Sequence, residues 1–222
     1  MLQKTRGIVF RFTRYGDSSI IVTIFTEVFG LQTYIVNGIR SKNAKSKIAL
    51  YQPLTLLELV VYHRESATIK RIKEVKCFHP YQFIQQDIRK STLAMFMIEL
   101  INKAVKEESH AKELCEFLIT SFITLDTMTS NIENFHLVFL LKLSRFLGIG
   151  VENVNEVLGG RIADVQVEQA LLQLIKSEYN QQVSLTNDQR REILGLLVQF
   201  YNDHTVMLGE MKSIQVLREI LT

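Results

Sequence analysis

The sequence has little of what disulfide-bonded, membrane-spanning and secreted proteins contain. Cysteine occurs twice in 222 residues, at Cys77 and Cys115, without CxxC spacing. This scarcity argues against a disulfide framework and against a structural zinc site built on cysteines. No uninterrupted apolar run approaches the roughly 18 residues of a membrane span, and residues 1–6 lack the apolar stretch of a secretory signal. We expect a cytoplasmic protein with no membrane partner.

Motifs of catalysis are also missing. There is no GxxxxGK loop, and the pair Gly148 and Gly150 lacks the third glycine of a dinucleotide fingerprint. The five histidines show no HExxH spacing, and His136, inside an apolar segment, is interpreted as a hydrogen-bonded core residue. No cluster of carboxylates in the first 80 residues suggests two-metal nuclease chemistry. We therefore predict no catalytic residue, no metal and no cofactor, although an enzyme assembled from distant residues stays open.

Charge, by contrast, is divided unevenly along the chain. Residues 1–80 hold thirteen Lys and Arg against five Asp and Glu, a net charge of +8, and residues 81–222 hold thirteen against eighteen, a net charge of −5. A basic module joined to an acidic one indicates a polyanionic ligand for the first, and nucleic acid is the first polyanion to consider.

The basic module has the period of β-strands. Residues 8–13, 20–25, 31–36, 54–62 and 67–76 form five predicted strands. Five short strands in about eighty residues favour a small closed barrel. In the first strand Ile8, Phe10 and Phe12 alternate with polar or smaller residues, which predicts Arg11 on the face opposite the two aromatic rings. In the fifth, a bulge is expected near Lys70 and Arg71.

Cations concentrate in the longest gap between strands, at residues 37–47, and on the flanking strands. The gap contains no acidic residue. A loop kept charged for solubility would look the same, but a barrel would bring strand cations onto one side with it, so we predict phosphate binding that is salt-sensitive and indifferent to base sequence. Tyr15, Tyr34 and Tyr62 are candidates for stacking on single-stranded bases, and the alternative interpretation of each is a barrel-wall residue. The predicted binding residues are Arg6, Arg11, Arg14, Arg40, Lys42, Lys45, Lys47, Lys70, Arg71 and Lys73.

The period changes to that of a helix after His79 and Pro80, which predicts a domain boundary between a basic domain, residues 1–79, and an acidic helical domain, residues 80–222. Apolar stripes predict helices at residues 93–104, 114–125, 135–146, 165–177, 188–202 and 210–221, with 135–146 apolar nearly all round and therefore central. Capping boxes are predicted at residues 130–133 and 186–189. Gly148 is expected to stop the central helix, and residues 150–160 to form an irregular connection. The fold class is thus α+β with two domains.

Several segments, in the same order, resemble the RecO family of recombination mediators. The run GIVFRFTRYGDSSIIVTIFT at residues 7–26, Gly30 and the NGIR loop at 37–40 resemble the opening of that family, and YQPL at 51–54 the segment that follows. LLKLSRFLG at 140–148 resembles its central helix and MKSIQVLR at 211–218 its closing helix. The resemblance spans nearly the whole chain.

This resemblance implies an OB-fold barrel followed by a helical domain, and a non-enzymatic role in DNA repair. It implies binding of single- and double-stranded DNA, annealing of complementary strands, and help for the RecA recombinase in displacing single-stranded-DNA-binding protein, usually together with RecR, at the nucleoid. In this sequence Arg11, Arg14, Arg40, Lys42, Lys45 and Lys47 fall in the family's basic strand and loop. Many members carry a four-cysteine zinc site after the central helix. Residues 150–160 contain no cysteine, so zinc is expected to be absent.

Two readings from other classes stay open at this point. An OB-fold RNA-binding protein would share the barrel and its basic surface. A structural adaptor would use the basic domain to dock an acidic protein, with nucleic acid incidental.

Overall fold

A computed structural model describes residues 1–39, 44–64, 66–106, 111–205 and 208–220, with residues 44–46 described by their backbone alone. The chain divides into two compact units, one of Met1–Tyr81 with Lys106–Ile123 and one of Gln82–Val105 with Thr124–Thr222. The division of the sequence at residues 79 and 80 had placed residues 106–123 in the helical domain, whereas here they group with the strands. The division into a nucleic-acid-binding domain, residues 1–79, and a helical docking domain, residues 80–222, stays a prediction.

The first unit is built on a closed five-stranded barrel. Its strands are β1 (Leu2–Tyr15), β2 (Ser19–Thr26), β3 (Gly30–Val36), β4 (Leu56–Tyr62) and β5 (Ile69–Cys77). They are ordered β1-β2-β3-β5-β4 around the barrel, with β4 paired back to β1. Only the β3–β5 pair is parallel. The predicted five-stranded barrel is confirmed, and each of its strands pairs with two neighbours.

The long strand β1 closes the barrel because it pairs with two neighbours in succession. Its first half runs antiparallel to β4 and its second half antiparallel to β2, with Gly7 opposite both Leu57 and Thr26. A Cβ atom at Gly7 would lie 2.8 Å from Ile24 Cγ2 and 2.8 Å from the Phe25 carbonyl oxygen. Glycine is therefore required where the strand passes from one partner to the other.

A β-bulge at Phe10 changes which side chains of β1 face the barrel interior. Val9 pairs with Ile24 and Arg11 with Thr23, so Phe10 is the extra residue. Val9 belongs to the barrel core and Phe12 packs against it, while Phe10 stacks on Phe25, with ring centroids 5.6 Å apart. The prediction that Phe10 and Phe12 share one face is wrong, because the bulge shifts the alternation by one residue.

A second bulge lies in β5. Val60 pairs with Glu74 and Val61 with Ile72, which leaves Lys73 as the extra residue. The bulge predicted near Lys70 and Arg71 is thus present two residues further along. Helix α1 (Ala44–Ala49) precedes β4, and Ile48 packs against the barrel core.

The helices outside the barrel follow the predicted periodicity. They are α2 (Ile88–Ala104), α3 (Ala111–Thr127), α4 (Phe135–Phe146), α5 (Val154–Leu158), α6 (Val165–Lys176), α7 (Asn187–His204) and α8 (Lys212–Ile220). Helix α4 is the centre of the second unit, as predicted, with nine of its twelve residues buried. The Tyr201 hydroxyl of α7 donates to the Leu140 carbonyl at 2.7 Å. Among the described helices, none is both long and apolar enough to cross a bilayer.

Two local predictions in this unit are wrong. No capping box forms at residues 130–133, because Asn131 has φ of 59° and the chain enters α4 through a single 3-10 turn, Ile132–Asn134. Residues 150–160 are not irregular throughout, because α5 lies within them and Asn153 and Glu156 form a capping box at its start. The capping box at Thr186 and Gln189, which starts α7, is confirmed.

Two carboxylates, the buried Asp126 and the partly buried Glu99, fix segments near the two ends of α2 in the second unit. Asp126, 1% exposed, accepts hydrogen bonds from the backbone N–H groups of Gln82, Phe83 and Ile84, just before α2. Near the other end, Glu99 accepts from the backbone N–H groups of Lys212 and Ser213 at 3.1 and 2.9 Å, at the start of α8. The N–H groups of Lys212 and Ser213 lie in the first turn of α8 and have no partner within that helix, whereas those of residues 82–84 lie in the turn before α2. Both carboxylates therefore fix segments distant in sequence.

A pair of glycine substitutions tests the role of Gly7. Gly7→Ala should lower the free energy of unfolding by about 1–3 kcal/mol, because the added methyl group overlaps β2. The matched control is Gly195→Ala, inside α7, where a Cβ meets nothing within 4 Å and helix propensity should raise stability by about 0.5–1 kcal/mol. Denaturant unfolding monitored by circular dichroism measures both. Equal effects of the two substitutions would contradict this account.

A pH series tests the anchoring of α8 by Glu99. Burial alone would raise the pKa of Glu99, but hydrogen bonds from Ser213 and Lys212 outweigh it and hold the pKa below its ordinary value. The Glu99 carboxylate therefore stabilises the folded state fully above about pH 4.3, the usual pKa of glutamate. This stabilisation is lost as the pH falls through the lower pKa that Glu99 has in the folded state. Glu99→Gln should be destabilised at neutral pH by about 1 kcal/mol, and the difference from wild type should vanish in acid. The control Glu192→Gln, exposed on α7, should show no such pH-dependent difference.

Candidate nucleic-acid interface

The register of the barrel places two predicted cations, Arg11 and Arg71, on its outward surface. On β2 the core residues are Ile20, Val22 and Ile24, so the residues between them point outward. Cross-strand partners share a face. One outward row reads Arg11, Thr23, Thr33 and Ile69, and the next reads Thr13, Ile21, Ile35 and Arg71. We call these eight residues the cationic face.

The cationic face holds positive charge without local compensation. Arg11 and Arg71 are both exposed. Among the residues that the structure describes, neither arginine has an ion-pair partner, and the six other members of the face are threonines and isoleucines. Arg11 and Arg71 lie three inter-strand steps apart in the order β1-β2-β3-β5. They remain available for an anionic ligand.

A second outward surface of the barrel carries charges of both signs. A groove of about 620 Å³ is lined by Lys4, Thr5, Arg6, Glu27, Glu58, Leu59, Val60, Glu74, Val75 and Lys76. Arg6 binds Glu27 through two hydrogen bonds of 3.0 Å, and this contact is the main reason why the pKa of Glu27 lies below its usual value. Lys76 lies 2.8 Å from Glu58. A phosphate here would have to compete with carboxylates already in place.

The structure separates the ten predicted binding residues into four environments. Arg11 and Arg71 lie on the cationic face. Arg14 is exposed near the end of β1, and Lys47 is exposed on α1 with its Nζ donating to the Asn37 carbonyl at 3.1 Å.

The remaining six are either engaged or undescribed. Arg6 and Lys73 are in ion pairs with Glu27 and Glu74. Lys70 is 9% exposed, and its Nζ donates to the Ala67 carbonyl at 3.0 Å. Arg40 and Lys42 lie outside the described residues, as does the side chain of Lys45. DNA contact by any of the ten stays a prediction.

The three tyrosines considered for base stacking also differ. Tyr34 is fully buried in the barrel core, which confirms its interpretation as barrel wall. Tyr15 and Tyr62 are 54% and 48% exposed. Tyr62 pairs with Arg71 on β5 and with Leu2 on β1. Sequence periodicity missed this juxtaposition, because it depends on the strand order and the register.

Two titratable side chains, His136 and Cys115, are buried. His136 is 1% exposed, and burial lowers its pKa to about 3, so the imidazole is neutral. Its Nδ1 has no hydrogen-bond partner among the described residues, so the hydrogen bond expected for this core residue is not found at that atom. Burial likewise raises the pKa of the Cys115 thiol to about 12, consistent with a buried small side chain. Within the described ranges, no group of three or more His, Cys, Asp or Glu is arranged to hold a metal ion.

Comparisons with known proteins agree with this architecture. The family model described as recombination protein O N terminal matches residues 1–81, and the one described as recombination protein O C terminal matches residues 85–167. Proteins named DNA repair protein RecO from Bacteroides fragilis, Christiangramia forsetii and Phocaeicola vulgatus are 35%, 32% and 31% identical to the chain. Each match covers at least 99% of both sequences. The chain therefore belongs to the RecO family of DNA repair proteins.

Proposed function

We propose that this protein is a non-enzymatic recombination mediator in DNA repair. It binds single- and double-stranded DNA without base-sequence preference, anneals complementary strands, and assists loading of RecA onto DNA coated with single-stranded-DNA-binding protein. RecR is its proposed co-partner, and the nucleoid its proposed place of action. Family membership supports the repair role, and the charge distribution supports the mechanism.

The observation that carries the proposal is the uncompensated charge of the cationic face. Arg11 and Arg71 are exposed, whereas Arg6 and Lys76 of the same barrel have carboxylate partners. Guanidinium contacts to phosphate oxygens release counterions and carry no base information. A face of this kind binds the backbone of any sequence. The predicted loop cations, residues 40–47, would add to it.

Annealing follows from the same electrostatics. Two complementary strands repel each other, and a surface that neutralises both lowers the cost of bringing them together. The net charge of +8 on residues 1–80 supplies that neutralisation. The helical region, with its net charge of −5, repels DNA and is proposed to act as scaffold and protein-docking surface.

Substitution of the two arginines of the cationic face tests the binding surface. Arg11→Ala with Arg71→Ala should weaken binding of all DNA sequences similarly. It should also reduce the slope of log K against log salt for single strands by roughly 1.4, because about 0.7 is lost per phosphate contact. Fluorescence anisotropy over a salt series measures both quantities.

The matched control removes the same charge from the second unit. Arg161→Ala with Arg191→Ala takes away two cations that are ion-paired to Asp203 and Asp188. This variant should bind DNA like wild type. Equal losses in the two double variants would point to net charge rather than to the cationic face.

Strand annealing tests the mediator role itself. Two complementary oligonucleotides coated with single-stranded-DNA-binding protein should anneal faster with this protein, without nucleotide, and the acceleration should fade as salt is raised. Tight DNA binding without acceleration would contradict the mediator role, and tighter binding of RNA would favour an RNA-binding protein. Weak, length-independent nucleic-acid binding beside tight protein binding would favour an adaptor.

A further inference from the structure

Tyr62 lies where the cationic face meets an exposed apolar strip. Its neighbour Val61 is a core residue, so the Tyr62 side chain points outward from β4. Its cross-strand partners on the two sides are Leu2 and Arg71, and Leu2 is 43% exposed. Ile69 lies two residues before Arg71 on the same face of β5 and is 45% exposed. Leu2, Tyr62, Arg71 and Ile69 form a strip of planar and apolar groups open to solvent.

The ring of Tyr62 has no aromatic partner among the described residues. The described ring pairs of the barrel involve other residues, among them Phe10 with Phe25 and Phe29 with His63. A half-exposed phenol beside an exposed guanidinium offers two flat surfaces on which a nucleobase can stack. Stacking tolerates every base, because every base has a π-face.

The charges around the strip favour a polyanion as its occupant. Besides Arg71, exposed Arg64 follows Tyr62 by two residues. Lys4, two residues beyond Leu2, belongs to the neighbouring groove of mixed charge. One described carboxylate nearby is Glu74, opposite Val60, and it lies 3.5 Å from the ammonium of Lys73. An exposed apolar strip flanked by cations is complementary to single-stranded nucleic acid, in which the phosphates and the unstacked bases are both exposed.

We propose that Tyr62, supported by Arg71 and Leu2, is a base-stacking subsite that binds unpaired nucleotides of single-stranded DNA. This inference rests on the proposed DNA-binding function and deepens it. Phosphate contacts on the cationic face are common to single strands and duplexes. Stacking on Tyr62 requires a base whose face is free, which a duplex lacks, so this subsite adds affinity for single strands alone.

Three ligands of equal length separate stacking from phosphate binding: an oligothymidylate, an abasic oligonucleotide with the same backbone charge, and a duplex. Tyr62→Val keeps a β-branched residue in the strand and removes the ring. It should weaken oligothymidylate binding about tenfold, or about 1.4 kcal/mol, which is within the range measured for one stacked base. Binding of the other two ligands should stay within twofold of wild type. Tyr62→Phe keeps the ring and should bind all three like wild type. Thermal unfolding of each variant checks that the barrel is intact.

The absence of tryptophan from the chain provides a direct optical readout. In Tyr62→Trp the new indole is the sole tryptophan, and its fluorescence should be quenched by the oligothymidylate but not by the abasic oligonucleotide. The control Ile162→Trp places the indole at a position that is 98% exposed in the second unit, where neither ligand should change its emission.

The outcomes distinguish this inference from the proposed function. If wild type binds the abasic backbone with strong salt dependence, but Tyr62→Val loses nothing specific to oligothymidylate and Tyr62→Trp is not quenched, the stacking subsite is overturned while phosphate binding stands. Loss of equal size for all three ligands in Tyr62→Val would also overturn it. If wild type binds none of the three at low salt, the proposed function and the subsite both fall.

Discussion

The passage of β1 from β4 to β2 is the constraint on which the rest of the first unit depends. In this closed barrel the two pairings of β1 overlap around Gly7, where the backbone of β2 leaves no room for a Cβ atom. The strand order β1-β2-β3-β5-β4 places β5 beside β3. The pairing of β3 with β5 connects Arg71 to Arg11 through the outward rows of β2 and β3.

The pairing of the strands also limits how the barrel can bind a ligand. Because every strand of the barrel already pairs with two neighbours, side chains on its outer surface are the groups most readily offered to a ligand. Those faces are chemically unequal. Arg6, Lys73 and Lys76 have carboxylate partners, whereas the cationic face has none among the described residues. Local ion pairing, more than the total charge of +8, therefore determines which part of the surface can accept phosphates.

Much of the fold could be predicted from periodicity, because the spacing of apolar residues that is typical of a strand or a helix is visible within that segment of the sequence. The five strands and the central helix at Phe135–Phe146 are of this kind. The candidate site was harder to predict from the sequence. Lys70 and Arg71 are adjacent in sequence, yet one is buried against a backbone carbonyl and the other exposed, because adjacent strand residues point to opposite faces. The bulge at Phe10 inverted the alternation of β1, and no local pattern signals which carboxylate will pair with which lysine.

The proposed mediator role requires release of DNA as well as binding, and the composition of the cationic face suits that requirement. Its two arginines lie among threonine and isoleucine residues. Exposed charges of this kind interact through solvent and are screened by salt, so each contact contributes little and exchanges readily. A denser cluster would hold one strand too tightly to pass it to a complement or to a recombinase. The sparse arrangement thus favours many weak, sequence-independent contacts, with selectivity for unpaired strands left to groups that recognise the base rather than the backbone.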